Sequence, residues 1–569
     1  MKTILTLSVL CWLYPALLSA QSRYDVVISE IMADPSPSVG LPANEWVELK
    51  NVSALPLNLH NWRLADATGQ SGPMPNFILQ PDSLVIVCTG SAATAMSAFG
   101  TTITVTSFPS LDNDGDLLYL KDATGSTMHA VKYTADWYQN ELKKEGGWTL
   151  EMIDTRNPCA GSANWKASTN PSGGTPGRRN AVNATLADLT APQLQRAYTT
   201  SPTTILLVFD EPVDSTDASL LAHYNIDGGL VLANAAAQGP LFNTVKLTTT
   251  APLQVQTIYR VSAAGIKDCQ GNSSTATSQV KAGLPEDAAS GEWIINEILF
   301  NPRSNADDWV EFYNNSRKIL DASRLFIASR SSSGALTSIK ALSESPFLVF
   351  PGDYMVVTED AASLSRNYLV KNPAAVITLS ALPSLPDDEG IVATLNFQGN
   401  VCDEVHYKDD WHFKLLADAE GVSLERTDPA APSQIQDTWH SAASSAGFGT
   451  PGYQNSQYKA AGQADGAITI SPGIFSPDND GRDDIATLQY QVQEPGYVAR
   501  ATVFDAAGRP VRVLVNNATL GLKGYWNWDG LDDKGNQLPV GTYIIFTEIF
   551  NLQGKKQQFK TPVILARKL

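Results

Sequence analysis

The chain contains one sequence pattern twice, about 270 residues apart, and this repeat limits the folds that are open to it. The run Trp46–Leu49, for example, returns as Trp309–Phe312. The shared motifs keep the same order, so the two copies are examples of one domain with a different segment between them. The matching segments are 29–31 with 296–298, 45–49 with 308–312, 108–111 with 382–385, 131–133 with 405–407, 149–151 with 423–425, 164–165 with 438–439 and 174–177 with 449–452.

Each copy has the residue pattern of β-strands. Apolar and charged residues alternate in Trp46–Lys50, which places Val47 and Leu49 on one face of a strand. The β-branched run Leu84–Cys88 follows a Pro/Asp turn, and Asp112–Asp116 is a tight-turn sequence between two further runs. The sequence shows no helical periodicity of useful length. Each copy is therefore predicted to be a β-sandwich of about a hundred residues with a long tail rich in Pro and Gly.

These motifs together resemble the lamin-tail domain, the immunoglobulin-like fold of nuclear lamins that also occurs in exported bacterial proteins. The resemblance covers residues 23–182 and 291–457, and it implies two domains of this fold. The second copy has Ser323 where the first has Trp62, so we expect its core to be filled differently at that point. The segments that carry the resemblance are 46–51, 61–64, 77–81 and 84–87.

The remaining parts of the chain resemble other immunoglobulin-like domains. Residues 190–284 are similar to a bacterial Ig-like domain, on the motifs Phe209–Val213 and Asp268–Asn272. Residues 284–291 have the composition of a linker. The predicted fold is thus all-β, a tandem array of four Ig-like β-sandwich domains after a signal peptide, the last of them at 466–569.

The last domain, residues 466–569, resembles the Ig-like domain of flagellar hook-capping proteins and the gliding-motility-associated C-terminal domains. The motifs are Ser476–Asp484, Trp528–Gly535 and Pro539–Tyr543. Some of those C-terminal domains are sorting signals for type IX secretion, and the basic residues Arg567 and Lys568 near the end of this chain fit that pattern. The resemblance implies that the secretion machinery is a partner of this domain.

Residues 1–20 have the pattern of a signal peptide. Lys2 precedes an apolar run, and Leu18–Ala20 is an acceptable cleavage site. The run is too short and too early to be a membrane span, and no later segment is apolar for long enough to be one. The sequence predicts a mature chain that is secreted, extracellular or held at the outer-membrane surface of a Gram-negative bacterium.

The mature chain has four cysteines, Cys88, Cys159, Cys269 and Cys402, an even number for an oxidising compartment. Four cysteines allow three pairings. Cys88 and Cys159 share one predicted domain and are the expected disulfide, while buried free thiols are the alternative. The spacing contains no CxxC motif and no Cys/His cluster, which disfavours a zinc site.

The charge and the motifs exclude several classes of function. The chain has 58 Asp and Glu against 40 Lys and Arg, a net charge of −18. It therefore lacks the basic footprint of a nucleic-acid-binding protein. The sequence has no Gly-x-Ser-x-Gly elbow, no His-Glu-x-x-His motif and no phosphate-binding loop, and its six histidines are scattered. We expect no catalytic residues and no cofactor other than calcium.

The calcium hypothesis rests on Asp478, Asp480 and Asp484, which surround Gly481. Carboxylates at alternate positions of a Gly-hinged turn can converge on one Ca²⁺ ion. The segment lacks the distal bidentate Glu of an EF-hand loop, and Arg482 stands at an expected ligand position. The favoured interpretation is an Asx-rich turn whose side chains accept hydrogen bonds from their own backbone.

Two repeated glutamate pairs suggest catalysis of the glycosidase type, Glu30 with Glu48 and Glu297 with Glu311. Both pairs belong to the repeat itself, so the favoured role is structural, accepting hydrogen bonds from neighbouring turns. Several aromatic residues could stack on sugars, although core packing is the default for them. They are Trp137, Tyr138, Trp411, Trp526 and Trp528.

The sequence as a whole indicates a non-enzymatic, exported β-protein that presents binding surfaces to a glycan or protein ligand, for adhesion or as a scaffold. The alternative is a secreted hydrolase, or an accessory subunit of one, because lamin-tail modules accompany nucleases and phosphatases. No stretch of sequence is left over for a separate catalytic domain, which favours the first hypothesis.

Overall fold

The computed structural model describes residues 22–274, 278–331, 333–414, 416, 418–459 and 467–567. The predicted signal peptide, residues 1–20, lies outside these ranges. The chain forms two compact units. The first runs to Pro252 and includes Tyr259–Lys281, and the second contains Leu253–Ile258 and the chain from Ala282 onward.

The first unit is built from strands, as the alternating patterns predict. Its strands are β1 (Val26–Met32), β2 (Trp46–Asn51), β3 (Leu57–Asn58), β4 (Arg63–Ala65), β5 (Ile78–Leu79), β6 (Leu84–Thr89), β7 (Thr102–Val105), β8 (Gly115–Lys121), β9 (Thr127–Thr134), β10 (Leu150–Met152), β11 (Trp165–Ala167), β12 (Leu194–Ser201), β13 (Thr204–Phe209), β14 (Tyr224–Ile226), β15 (Leu232–Gln238), β16 (Thr244–Thr249), β17 (Tyr259–Ala263) and β18 (Gln279–Ala282).

The first repeat is a sandwich of two main sheets. One has six strands in the order β11-β10-β1-β2-β6-β7, and the other has the order β4-β8-β9. Their inner faces share one core, in which Trp62 of the first repeat is buried among residues of both sheets. The segment that follows adds two more sheets, β12-β13-β16-β15 and β14-β17-β18.

The second unit is also built from strands. They are β19 (Trp293–Leu299), β20 (Trp309–Asn314), β21 (Leu320–Asp321), β22 (Leu325–Arg330), β23 (Leu336–Ala341), β24 (Leu348–Val349), β25 (Tyr354–Thr358), β26 (Val376–Thr378), β27 (Glu389–Asn396), β28 (Val401–Lys408), β29 (Leu424–Arg426), β30 (Trp439–Ser441), β31 (Ala467–Ser471), β32 (Ile474–Phe475), β33 (Ala486–Gln491), β34 (Tyr497–Phe504), β35 (Pro510–Thr519), β36 (Lys523–Trp528), β37 (Gly541–Asn551) and β38 (Lys556–Leu565).

The second repeat reproduces the topology of the first. Its six-stranded sheet has the order β26-β25-β20-β19-β29-β30, and the pair β25/β26 is parallel like its counterpart β6/β7. Trp293 and Phe312 stack in its core at the positions of the smaller Val26 and Leu49, with ring centroids 5.3 Å apart. Ser323, at the position of Trp62, is half-buried, and the larger Trp293 and Phe312 belong to the core of this copy.

The C-terminal residues form the sheets β31-β33-β36 and β32-β38-β37-β34-β35 around a core that contains Trp528 and Tyr543. The all-β prediction is confirmed. The α-helices are α1 (Ala93–Met96) and α2 (Ala361–Asn367). Short 3-10 helices lie at Ala135–Tyr138, Gly161–Asn164, Asp217–Ser219, Leu221–His223, Ala322–Arg324, Pro373–Ala375, Asp409–Trp411, Gln436–Thr438 and Ser444–Ala446. Among the described residues, no helix is both long enough and apolar enough to cross a bilayer.

Residues 284–291, which have the composition of a linker, hydrogen-bond to residues of the second unit. The Glu286 N–H donates to the Ile319 carbonyl over 2.8 Å, and Ala288 is buried with its carbonyl bonded to the Asn396 amide. These bonds fix part of the backbone of this polar segment.

The predicted disulfide between Cys88 and Cys159 is wrong, because Cys159 has a different partner. Cys159 is bonded to Cys269, with Cα atoms 6.1 Å apart, while Cys88 and Cys402 are free and buried. Cys88 lies near the end of β6 and packs in an apolar cluster with Trp46. The predicted Cys88–Cys159 bridge assumed that a disulfide stays inside one domain. The observed bridge joins the tail of the first repeat to the segment that follows it.

Candidate functional site

Three glutamates lie side by side on each six-stranded sheet, one on each of three adjacent strands. The central one is on β1 or β19, and its register partners on both neighbouring strands are also glutamates. All six side chains are completely buried. We call each group a tri-glutamate cluster. The clusters are Glu30, Glu48 and Glu151 in the first repeat and Glu297, Glu311 and Glu425 in the second.

A β-bulge places the central glutamate among its neighbours. In β1 the pairing changes register between Ile28, which is opposite Leu49, and Glu30, which is opposite Glu48. Such a bulge inserts one residue and redirects the side chains that follow it. The same shift precedes Glu297 in β19. A sequence period of two does not reveal it.

The Gly-Thr-Pro-Gly motif of each tail covers the cluster and satisfies its oxygens. Thr175 donates its N–H to Glu30 Oε1 over 2.7 Å and its hydroxyl to Glu151 Oε1 over 2.8 Å. Gly177 donates its N–H to Glu48 Oε2 over 2.6 Å. The same bonds recur in the second repeat, where the donors are Thr450 and Gly452.

Burial dominates the electrostatics of both clusters, and repulsion between the carboxylates adds to it. Desolvation raises the pKa of Glu48 to about 7, of Glu297 to about 8 and of Glu425 to about 6. It also raises the pKa of Glu30 and Glu311 well above the ordinary value. The clusters are closed to solvent and bonded to their own tails. These contacts support the structural role rather than the glycosidase role.

The structure brings Asp478, Asp480 and Asp484 together, with one carboxylate oxygen of each within 4.8 Å of the others. Asp484 also accepts the N–H groups of Asn479 and Gly481 over 2.6 and 2.9 Å. Those bonds are the ones that an Asx-rich turn predicts. Calcium binding at this turn stays a prediction.

A second acidic group joins residues far apart in the sequence, Asp188, Glu211 and Asp268 in the first unit. Desolvation, followed by repulsion from the two aspartates, raises the pKa of Glu211 to about 8. Asp268 also accepts a hydrogen bond from Asn272 over 2.7 Å. Sequence patterns could not have found this group, because no local motif contains it.

None of the five aromatic residues singled out from the sequence is exposed. Tyr138 and Trp528 are buried in domain cores. Trp137 is half-buried against the core of the first repeat, and Trp411 is half-buried against the core of the second. Trp526 stacks on Tyr490 with ring centroids 4.6 Å apart. These residues pack the domains, as the default interpretation had it.

The exposed face of the sheet β31-β33-β36 carries polar side chains in three rows. Because side chains alternate along a strand, β36 presents Lys523, Tyr525 and Asn527 outward while Trp526 and Trp528 face inward. Tyr525 is 61% exposed. The rows across the sheet are Ala467–Gln491–Lys523, Thr469–Gln489–Tyr525 and Ser471–Thr487–Asn527.

This face forms one wall of a cleft of about 1400 Å³ within the second unit. The tail of the second repeat forms the other wall, with Tyr453 and Tyr458, and the loop after α2 adds Lys371. The Lys371 ammonium lies 3.8 Å from the centre of the Tyr453 ring. Ser445 and Tyr490 share a hydrogen bond of 2.6 Å at the base. We refer to this feature as the cleft.

The lining of the cleft consists mainly of hydroxyl, carboxamide and tyrosine side chains. These groups suit a polyhydroxylated ligand, since amides and hydroxyls bond to hydroxyl groups and aromatic faces stack on apolar ring faces. The sequence prediction for sugar stacking named Trp526 and Trp528 but not Tyr525. The alternation Lys523–Trp528 held the signal, because it places Tyr525 opposite to both tryptophans.

The sequence profile of the Lamin Tail Domain matches residues 19–135. It confirms the lamin-tail prediction for this part of the first repeat. No curated protein matches the chain.

Several solved structures show a distant likeness. The N-terminal part of the bacterial S-layer protein SbsC has a TM-score of 0.17 at 15% identity, over 29% of this chain and 45% of that one. A tetra-tandem repeat of a large adhesion protein has a TM-score of 0.13 at 11% identity, over 95% and 99%. A DUF4876 family protein from Bacteroides thetaiotaomicron has 0.16 at 13%, over 39% and 89%. The chain spans about half of the length of the SbsC structures. Scores this low carry no argument about function.

Proposed function

We propose that this protein is an exported, non-catalytic binding protein that attaches to a glycan through the cleft. The observation that carries the proposal is the exposed face of β31-β33-β36, where Tyr525 stands between rows of amide and hydroxyl side chains. An exposed sheet face of this kind can bind a sugar chain without any change in the sandwich behind it.

The tri-glutamate clusters support the binding role over the hydrolase alternative. The repeated carboxylates are the strongest catalytic candidates in the sequence, yet they are buried and bonded to the tails. A carboxylate can protonate a glycosidic oxygen only if the substrate reaches it. The second repeat and the C-terminal domain therefore serve as the frame of the cleft.

The test is a glycan array probed with the mature chain, residues 21–569, and with the Tyr525→Ala variant. We expect the wild type to bind a defined set of glycans and the variant to bind them about fivefold more weakly, because a stacked ring contributes roughly 1 kcal/mol. Phe397→Ala is the matched control, since Phe397 is 57% exposed and lies outside the cleft. Equal binding by wild type and Tyr525→Ala would contradict the proposal.

We propose also that residues 466–569 direct the protein to the cell surface through type IX secretion, as their resemblance implies. The domain is held to the second repeat by hydrogen bonds from Leu522 N–H to Ser456 O and from the Gln457 amide to Leu520 O, over 2.9 and 3.0 Å. Deletion would therefore expose this contact as well as remove a signal.

Two experiments separate these effects. Deletion of 466–569 should leave a chain that loses residues 1–20 and accumulates in the periplasm. Fusion of 466–569 to an unrelated exported reporter, in a host with type IX secretion, should bring the reporter to the surface. Immunoblots of periplasmic and surface fractions give the readout. A reporter that stays in the periplasm would refute the sorting role.

A further inference from the structure

The cleft differs in charge from the rest of the chain. The chain has 58 acidic and 40 basic residues. Among the described residues that line the cleft, none is Asp or Glu, whereas two, Lys371 and Lys523, are lysines. The described lining of the cleft has no carboxylate and has one lysine on each wall. Within an acidic protein, it is therefore a local site where an anionic group can bind.

Both lysines are available to a ligand. Lys523 ends the row Ala467–Gln491–Lys523 on the exposed sheet face, and Lys371 lies across the cleft over Tyr453. Both side chains are exposed. In the part of the chain that the structure describes, neither has a carboxylate within 4 Å. A ligand anion would not have to displace a described carboxylate from either of them.

The nearest repeated carboxylates lie behind the cleft, not in it. Thr450 lines the cleft and donates its hydroxyl to Glu297 and Glu425 over 2.8 and 2.9 Å. Burial raises the pKa of both acids, so they carry less negative charge at neutral pH than free glutamates. Their repulsion of a bound anion is correspondingly reduced.

Resting on the proposed function, we infer that the ligand of the cleft is an acidic polysaccharide, a chain of sugars that carry carboxylate or sulfate groups. Tyr525 stacks on a sugar ring, and Gln489 and Asn527 bond to its hydroxyl groups. Lys371 and Lys523 pair with the anionic groups from opposite walls. A neutral sugar would leave both ammonium groups without a function in the complex.

Isothermal titration of the mature chain, in the presence of EDTA, tests the inference with polygalacturonate, dextran sulfate and neutral dextran. The chelator removes divalent ions that could bridge an acidic polymer to surface carboxylates. We expect at least one acidic polymer to bind and neutral dextran not to bind. Affinity should fall as NaCl rises from about 50 to about 500 mM, because salt screens exposed charges. The preferred polymer identifies the anionic group as carboxylate or sulfate.

Lys371→Gln and Lys523→Gln should each weaken binding of the acidic polymer roughly three- to fivefold. Lys340→Gln is the matched control, because Lys340 is exposed in the same unit and outside the cleft. All three variants should keep the melting temperature of the wild type. If neutral dextran bound to the wild type and equally to both cleft variants, the inference of an acidic ligand would be wrong. The proposed glycan-binding function would still stand. The inference would be overturned if Lys371→Gln and Lys523→Gln both bound the acidic polymer as tightly as the wild type, or if none of the three polymers bound. A blank glycan array would overturn the proposed function as well.

Discussion

Replacing Glu30 with Ala will lower the free energy of unfolding of the first unit by about 3–5 kcal/mol. Glu30 accepts the Thr149 hydroxyl and the Thr175 N–H, each over 2.7 Å. Both donors are buried, and each buried donor that loses its acceptor costs about 1–3 kcal/mol. Urea unfolding measures the change, and hydrogen exchange at β1 and β10 assigns it to the first repeat.

Glu30→Gln is the matched control. It keeps one acceptor oxygen and imitates a protonated acid, so we expect it to be much less destabilising than Glu30→Ala. Equal losses for both variants would show that the hydrogen bonds to the tail are not what Glu30 contributes.

The two tri-glutamate clusters make the stability of the protein depend on pH. Folded-state pKa values of the clustered acids lie above the unfolded value of about 4.3, so the folded state holds more protons between pH 5 and 8. The stabilisation is complete below the unfolded pKa and is lost as pH rises through about 6 to 8. The melting temperature should therefore fall by several degrees between about pH 5 and pH 9. Glu30→Gln combined with Glu297→Gln should flatten this slope, and a melting temperature that rises over this range would contradict the assignment.

Removing the disulfide by Cys269→Ser will lower the free energy of unfolding by about 4–5 kcal/mol. The bridge closes a loop between residues 110 apart in the sequence, and a loop of about 100 residues corresponds to roughly 4.7 kcal/mol of unfolded-chain entropy. Thermal unfolding of the exported protein, with and without reductant, measures the loss.

Cys88→Ala is the control for the bridge, because Cys88 is a buried free thiol in the same unit. We expect it to lose only packing energy, about 1–2 kcal/mol, and to show the same response to reductant as the wild type. Non-reducing peptide mapping should recover Cys159 linked to Cys269. Recovery of Cys88 linked to Cys159 would restore the pairing that the sequence suggested.

Local sequence was sufficient for the repeat and the strands. Apolar and charged residues alternate in Trp46–Lys50, and this run lies in β2. Its counterpart in the second repeat lies in β20. The carboxylates of the turn at Asp478–Asp484 also lie close together, because their positions are set by a few consecutive residues. A property that depends only on near neighbours in the chain can be predicted from a short stretch of residues.

Contacts between distant segments were not predictable in this way. The roles of Glu48 and Glu151 depend on Gly177 and Thr175, which the fold brings back over the sheet. The bulge in β1 that directs Glu30 to them leaves no sign in a simple two-residue period. The tail looked like a loose extension in the sequence because two of its buried partners, Glu30 and Glu48, are more than a hundred residues away.

The sequence by itself determined that the chain is an all-β protein with a repeated domain, because alternation and motif order are local and additive. Only the tertiary structure decided that Cys269 is the partner of Cys159, that three glutamates meet in each repeat, and that Tyr525 faces a cleft while Trp526 and Trp528 face a core. The reason is physical: pairing, burial and the direction of a side chain are set by surfaces that meet after folding, and those surfaces come from segments that no sequence window contains together.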